Sequence, residues 1–351
     1  VTDIAPTWTL PHLVAGIMVL SLNAYVLLGG ADFGGGVWDL LARGRQRDEQ
    51  RALIAEAIGP IWEANHVWLI LVVVLLFTCF PRVYAHLATE LHVPITLMLF
   101  GIVLRGSAFT FRTYDSSQDD VQRRWGRIFS VASFATPVLL GLCVGAVASG
   151  RVPLREQQTA ASLTFVARFI LPWAASPFSW SVGALALALF ASLAATYLTV
   201  EANDAALQDV FRRRALQSQG ALLGAAAVTI VLAWHDAPLV FDGLTRGSVA
   251  LGMHAITALA ALTAIQALRR RQFARARLAA AAQATFIVWG WAWSQFPWLL
   301  PPGGSITMLA APRVTLTLVL TVLASGTAIL LPSFVYLFRV FKTGGTAFER
   351  E

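Results

Sequence analysis

Ala57-Ile58-Gly59-Pro60-Ile61-Trp62-Glu63-Ala64-Asn65-His66-Val67-Trp68 runs directly into Leu69-Ile70-Leu71-Val72-Val73-Val74-Leu75-Leu76-Phe77. The whole stretch reads as one membrane span, with a buried acid in its middle. An aspartate at the centre of such a helix costs about 2.5–3.5 kcal/mol on the insertion scale. An intramembrane acid therefore faces the protein interior or a water-filled path, and it marks a functional site by default. Here Glu63 shares seven residues with Asn65, His66, Trp62 and Trp68. A plain anchor helix has no use for that much polar chemistry.

The rest of the chain has the same character. Of 351 residues, 57% are hydrophobic and 13% are charged, against about 25% charged in soluble domains. The class is an all-α polytopic membrane protein. The net charge of +7 does not point to nucleic acid, because the basic residues are scattered through short loops. Cys79 and Cys143 lie near the ends of apolar runs with no CxxC spacing, which supports neither a metal site nor a disulfide. Asp3 stands where a signal peptide would carry positive charge, so no cleaved signal is expected.

About 20 apolar residues cross a bilayer core. Nine segments qualify: 10–42, 52–80, 83–112, 124–149, 177–202, 215–234, 247–268, 276–297 and 310–338. Nineteen basic residues fall in the loops on one side, among them Arg43, Arg47, Arg51, Arg212, Arg213 and Arg214, and six fall on the other. The positive-inside rule then places the N-terminus outside and the C-terminus in the cytoplasm. The longest outer loop, 151–176, divides a first four-helix bundle (1–150) from a second bundle with a peripheral helix and cytoplasmic tail (177–351).

Three ionisable residues fall at comparable depth in the cytoplasmic half. With a rise of 1.5 Å per residue, Glu63 lies about 16 Å, Asp32 about 15 Å and Arg105 about 10 Å from the cytoplasmic helix ends. Two acids and an arginine at one level form either a structural ion-pair lock or part of a proton relay, since membrane relays are built from Asp, Glu and His. Glu56, Glu63 and His66 follow one helix face inward from the rim. Pro60 frees the Glu56 carbonyl and predicts a bend beside the acid. His66 alone reads as a hydrogen-bonded interior histidine. It has no haem-ligand partner at matching depth: His254 falls near the outer end of its span, and His86 and His92 are interfacial. Gly34-Gly35-Gly36 lacks a following Lys-Ser and a preceding strand, so it suits close helix packing or local unwinding and not phosphate binding. Asn203 or Asp204 caps the helix that follows. Arg269-Arg270-Arg271 sets topology.

Three blocks carry a resemblance: Gly30-Ala31-Asp32-Phe33-Gly34-Gly35-Gly36, Gly59-Pro60-Ile61-Trp62-Glu63-Ala64-Asn65-His66-Val67-Trp68-Leu69, and Leu104-Arg105-Gly106-Ser107-Ala108-Phe109-Thr110-Phe111-Arg112. In order and spacing they resemble subunit II of cytochrome bd-type quinol oxidases, as do Gln295-Phe296-Pro297 and Pro332 with its basic tail. The resemblance implies nine helices in two four-helix bundles plus a peripheral helix. It implies a subunit of a bacterial inner-membrane complex that oxidises quinol and reduces dioxygen to water. Two b-type haems and one d-type haem then belong to the partner, subunit I, and this chain holds no haem and is not catalytic alone. Small single-span accessory subunits, membrane lipid and a structural quinone complete the partners the family admits. The family's proton-route acid falls on Glu63, its glycine-flanked acid on Asp32 and its arginine on Arg105. Where some members carry a further acid, this chain has Thr110, so that role does not transfer. Glu56, His66, Asn65 and Trp62 complete the candidate path.

Two other classes fit intramembrane acids. A secondary transporter would show interrupted spans in both halves, whereas the interruptions here fall in the first half. A structural membrane partner would use the same residues as a packing lock.

Overall fold

A computed structural model describes residues 9–44, 46–58, 62–114, 119–154 and 163–344, with backbone only at 58, 62–64, 112–114, 119–123, 331, 334, 335 and 337–344. The long helices are α1 (Leu10–Leu40), α3 (Trp62–Cys79), α5 (His92–Tyr114), α6 (Asp119–Ala148), α9 (Pro177–Glu201), α10 (Ala205–Asp236), α12 (Ser248–Arg269), α13 (Phe273–Gln295) and α15 (Arg313–Gly344). Between them lie α2 (Arg47–Ile58), α4 (Pro81–Glu90), α7 (Phe165–Phe169), α8 (Leu171–Ala174), α11 (Pro238–Thr245) and α14 (Ile306–Leu309). The strands β1 (Trp298–Leu300) and β2 (Gly304–Ser305) pair as a short antiparallel hairpin.

Apart from that hairpin the described elements are all helices, and the chain is a multi-pass membrane protein. Among the described residues, seven helices are long and apolar enough to span, or eight if one bent pair counts as a single span. Of the nine segments expected, 52–80 and 276–297 are not among the seven. The second of these is a continuous helix, α13, but Arg275, Arg277, Gln283, Ser294 and Gln295 dilute its apolar character.

The segment read as one span, 52–80, is divided into α2 and α3, and residues 59–61, including Pro60, lie outside the described residues. The span read as 83–112 is divided at Leu91: α5 begins at His92, and the residues before the break belong to α4, which turns through 115° against 65–79. Pro81 is the cause. It lacks a backbone N–H, and it opens α4 at a first-turn position where none is needed. Asp204 does cap α10, its carboxylate accepting from the amides of Ala206 at 3.1 Å and Leu207 at 2.9 Å.

Helix α1 lies against α3, α6, α9 and α13, and α6 also packs on α5 and α9. Helix α9 in turn packs on α10 and α13, and α12 on α13. Small residues allow the close crossings. Gly34-Gly35-Gly36 stays helical, so close packing, not unwinding, is what the run provides. A Cβ on Gly34 would overlap the Phe190 carbonyl on α9. Gly141 and Gly145, in small-xxx-small spacing, meet Gly183 and Ser179 of α9 in the same way. A buried cluster containing Trp38, Phe129, Ala194, Leu198 and Phe211 fills the centre between α1, α6, α9 and α10. By contrast, α15 leaves Val314, Leu318, Val322 and Ile329 between 61 and 70% exposed.

Candidate functional site

Asp32 sits in the last third of α1, where the glycine run lets neighbouring helices close around it, and it is buried. Asn65, buried near the start of α3, donates from Nδ2 to Asp32 Oδ2 over 2.6 Å. Arg105 comes from α5 and is 2% exposed, the largest fully buried side chain of the chain among the described residues. Its guanidinium carbon lies 4.7 Å from the Phe33 ring centroid and 5.4 Å from that of Phe129. These stacking distances favour a cation over the ring faces. Asp32 and Arg105 lie within electrostatic reach of each other. His66 packs with Tyr25 and Phe33, at ring separations of 6.1 and 6.2 Å. The tertiary fold thus gathers Asp32, Asn65, Arg105 and His66 from three helices around Phe33 and Tyr25.

The remaining path candidates are placed differently. Glu63 and Trp62 belong to the first turn of α3, and their side chains lie outside the described ones. Glu56 is exposed on α2. The continuous face expected for Glu56, Glu63 and His66 crosses residues 59–61, which lie outside the described residues.

A second buried polar group was missed by the sequence reading. Asp39 is wholly shielded on α1. Ser130 Oγ on α6 donates to its Oδ2 over 2.8 Å, and Arg51 Nε from α2 stands 3.6 Å from its Oδ1. Nearby, Arg214 Nη2 donates to Gln50 Oε1 at 2.8 Å and to the Leu41 carbonyl at 3.1 Å. Trp38 Nε1 donates to the Ala191 carbonyl over 2.8 Å. One signal was legible: Asp39 follows Asp32 by seven residues and so shares its helix face. Its closeness to the arginine run disguised it as part of a solvated helix end.

At the other end of the bundle, Glu90 and Arg168 pair. Arg168 Nε donates to both Glu90 oxygens, at 2.9 and 3.2 Å. The carboxylate raises the proton affinity of this already strong base further.

Among the described residues no group of three or more His, Cys, Asp or Glu side chains is arranged to hold a metal. The histidines go to separate partners. His254 meets the Leu244 carbonyl at 2.8 Å, His92 the Thr89 carbonyl at 2.8 Å and His86 the Val152 carbonyl at 3.3 Å. Cys79 and Cys143 are free thiols.

The family model for cytochrome bd terminal oxidase subunit II matches residues 10–341. Cytochrome bd ubiquinol oxidase subunit 2 of Bacillus subtilis is 32% identical over 120 residues, 34% of each chain. Cytochrome bd-I ubiquinol oxidase subunit 2 of Escherichia coli K12 is 27% identical over 188 residues, which cover 53% of this chain and 46% of the relative. The sequence matches therefore span about a third to a half of those relatives' length. The solved structure of bd oxidase from Geobacillus thermodenitrificans superposes with a TM-score of 0.76 at 21% identity, covering 95% of this chain and 99% of that one. At that identity the likeness is one of fold.

Proposed function

Because this chain belongs to the cytochrome bd terminal oxidase subunit II family, we propose that it is the non-haem subunit of a bd-type quinol oxidase in the bacterial inner membrane. In this role it stabilises the haem-bearing subunit I and supplies part of a proton route from the cytoplasm. The complex oxidises quinol and reduces dioxygen to water, and the haems that supply the redox chemistry belong to the partner. We further propose nine spans, with the N-terminus outside. Packing supports that count, with α1, α3, α5 and α6 on one side, α9, α10, α12 and α13 on the other, and α15 at the periphery.

The observation that carries the proton route is the buried Asp32–Asn65 hydrogen bond beside Arg105. Dioxygen reduction consumes protons, and a carboxyl enclosed by three helices, held by one amide and facing a buried cation, can take up and release one. In this reading Glu63 precedes Asp32 on the route, Asn65 orients the Asp32 carboxyl and Arg105 sets its charge balance. His66, Trp62 and Glu56 line the approach. A structural quinone and small single-span accessory subunits remain family-derived proposals with no residue here assigned to them.

The test is oxygen consumption by the purified complex with a quinol donor, comparing wild type with Glu63→Gln and Asp32→Asn, with the haem spectrum recorded on each sample. Lost turnover with an intact spectrum supports the proton route. Unchanged turnover in both variants reduces the cluster to a packing lock, and a chain that purifies alone, without haem, counts against the oxidase assignment.

A further inference from the structure

Asp39 has no task in that route, yet it is among the most completely buried acids of the chain among the described residues. It lies two turns along α1 from Asp32, about 10 Å on the same face. Towards the loop end its carboxyl faces Arg51, whose side chain is 23% exposed, so the pair links the buried acid to the surface. Ser130 holds the other oxygen and also donates to the Gly126 carbonyl at 2.9 Å.

Between the two acids, one turn from each on α1, stands Gly36. Ser133 on α6 occupies the space a side chain there would need, because a Cβ on Gly36 would overlap the Ser133 hydroxyl. Ser133 is fully buried, and its Oγ has no hydrogen-bond partner among the described residues. A helical serine can bond the carbonyl one turn back, as Ser130 does to Gly126, but Ser133 does not. The ring of Phe129 borders the same close contact. It lies 3.3 Å from a Cβ on Gly36 and 5.4 Å from the Arg105 guanidinium. Arg105 Nε and Nη2 likewise have no hydrogen-bond partner among the described residues. Two acids two turns apart on α1, with the Ser133 hydroxyl midway on α6 and the Arg105 guanidinium of α5 beyond Phe129, form a file of polar groups beside the α1–α6 contact.

We propose that Asp39 is an entry acid for protons bound for Asp32, with Ser133 as the hydroxyl step between them and Ser130 as the residue that positions the Asp39 carboxyl. The inference rests on the reading of Asp32 as a proton carrier. A proton from water on the Arg51 side binds a carboxylate oxygen of Asp39 and releases it from Arg51. The Ser133 hydroxyl, bonded to neither acid at rest, turns to accept that proton from Asp39 and gives up its own proton towards Asp32. Afterwards Ser133 is unchanged, Asp32 is protonated, and Asp39 is again a carboxylate paired with Arg51.

The test uses the intact oxidase complex in vesicles. Proton uptake from the Arg51 side in a single turnover is followed with a pH dye, and the haem spectrum reports assembly. Asp39→Asn and Asp32→Asn are expected to slow uptake on the order of 10²-fold, the size of a lost acid–base group. Asp39→Glu is expected to restore it, and Ser133→Ala to slow it with a normal spectrum. Wild-type uptake in Asp32→Asn overturns the underlying route. Slow uptake in Asp32→Asn, but wild-type uptake in assembled Asp39→Asn and Ser133→Ala, overturns the role of Asp39 alone. Should Asp39→Asn fail to assemble, Ser133→Ala, which removes one buried oxygen, decides: slowed uptake supports the file and wild-type uptake overturns it.

Discussion

Asn65 on α3 donates to Asp32 on α1 across 2.6 Å, between residues 33 apart in sequence and both 4% exposed. Asn65→Ala leaves a buried carboxyl without that donor. The expected cost is about 1–3 kcal/mol of stability, together with reduced turnover, because the carboxyl loses its orientation. Asn65→Asp sets two acids face to face and is expected to do more damage than alanine. Thermal unfolding of the solubilised complex, with oxygen consumption on the same sample, checks both. Equal melting temperatures for wild type and Asn65→Ala would show that the bond contributes nothing.

Gly34 meets the backbone of α9 at Phe190, whereas Gly16, on the same helix, has nothing within 4 Å of the place a Cβ would take. Gly34→Ala must push α1 from α9 and is expected to cost about 1–3 kcal/mol through overpacking. Gly16→Ala is expected to stay within about 0.5 kcal/mol of wild type or to stabilise slightly. The pair of melting temperatures separates a local steric effect from a general intolerance of alanine in α1.

Glu90 and Arg168, 78 residues apart, fasten the short helix α7 to the end of α4. Their side chains are 10 and 23% exposed, so solvent screening limits the gain to about 1 kcal/mol. Arg168→Ala is expected to leave haem content unchanged and to speed proteolysis of the segment that begins at Leu163. The exchanged pair Glu90→Arg/Arg168→Glu should recover protection, and failure to do so would mean that backbone packing, not charge, holds the segment.

Gln219 on α10 donates from Nε2 to Gln283 Oε1 on α13 over 3.0 Å, with both residues at 2% exposure or less. Interhelical bonds of this kind in membranes are worth about 0.6 kcal/mol on average and at most about 1.7. Gln219→Leu alone strands the Gln283 amide and is expected to destabilise more than Gln219→Leu/Gln283→Leu, which removes both polar groups. Melting temperatures of the two single variants and the double variant form the cycle. An additive double variant would show that the two amides act independently.

The spans were largely legible, because burying an apolar run in lipid is a property of each run by itself. The ends of α1, α9 and α12 fall within about two residues of their expected positions. The break at 81–82 was read as the turn between two spans, but the separate helix α4 and the second break at Leu91 were not, because the residues on either side of Leu91 give no local stop signal as strong as Pro81. The glycine run left two readings open, close packing or unwinding, and the carbonyl of Phe190, more than 150 residues away, decided between them.

The site divides along the same line. Sequence by itself singled out the residues costly to place in lipid: Asp32 and Arg105, each alone in a small or apolar stretch, and the cluster Glu63, Asn65 and His66 beside a long apolar run. Only the tertiary structure decided that Asn65 bonds Asp32, that Arg105 lies over Phe33 and Phe129, and that Asp39 is a buried acid held by Ser130. The reason is physical. The cost of placing a polar group in a membrane is set by the group and its near neighbours in the chain. Its relief comes from partners on other helices, and their distance depends on how α1, α3, α5 and α6 pack.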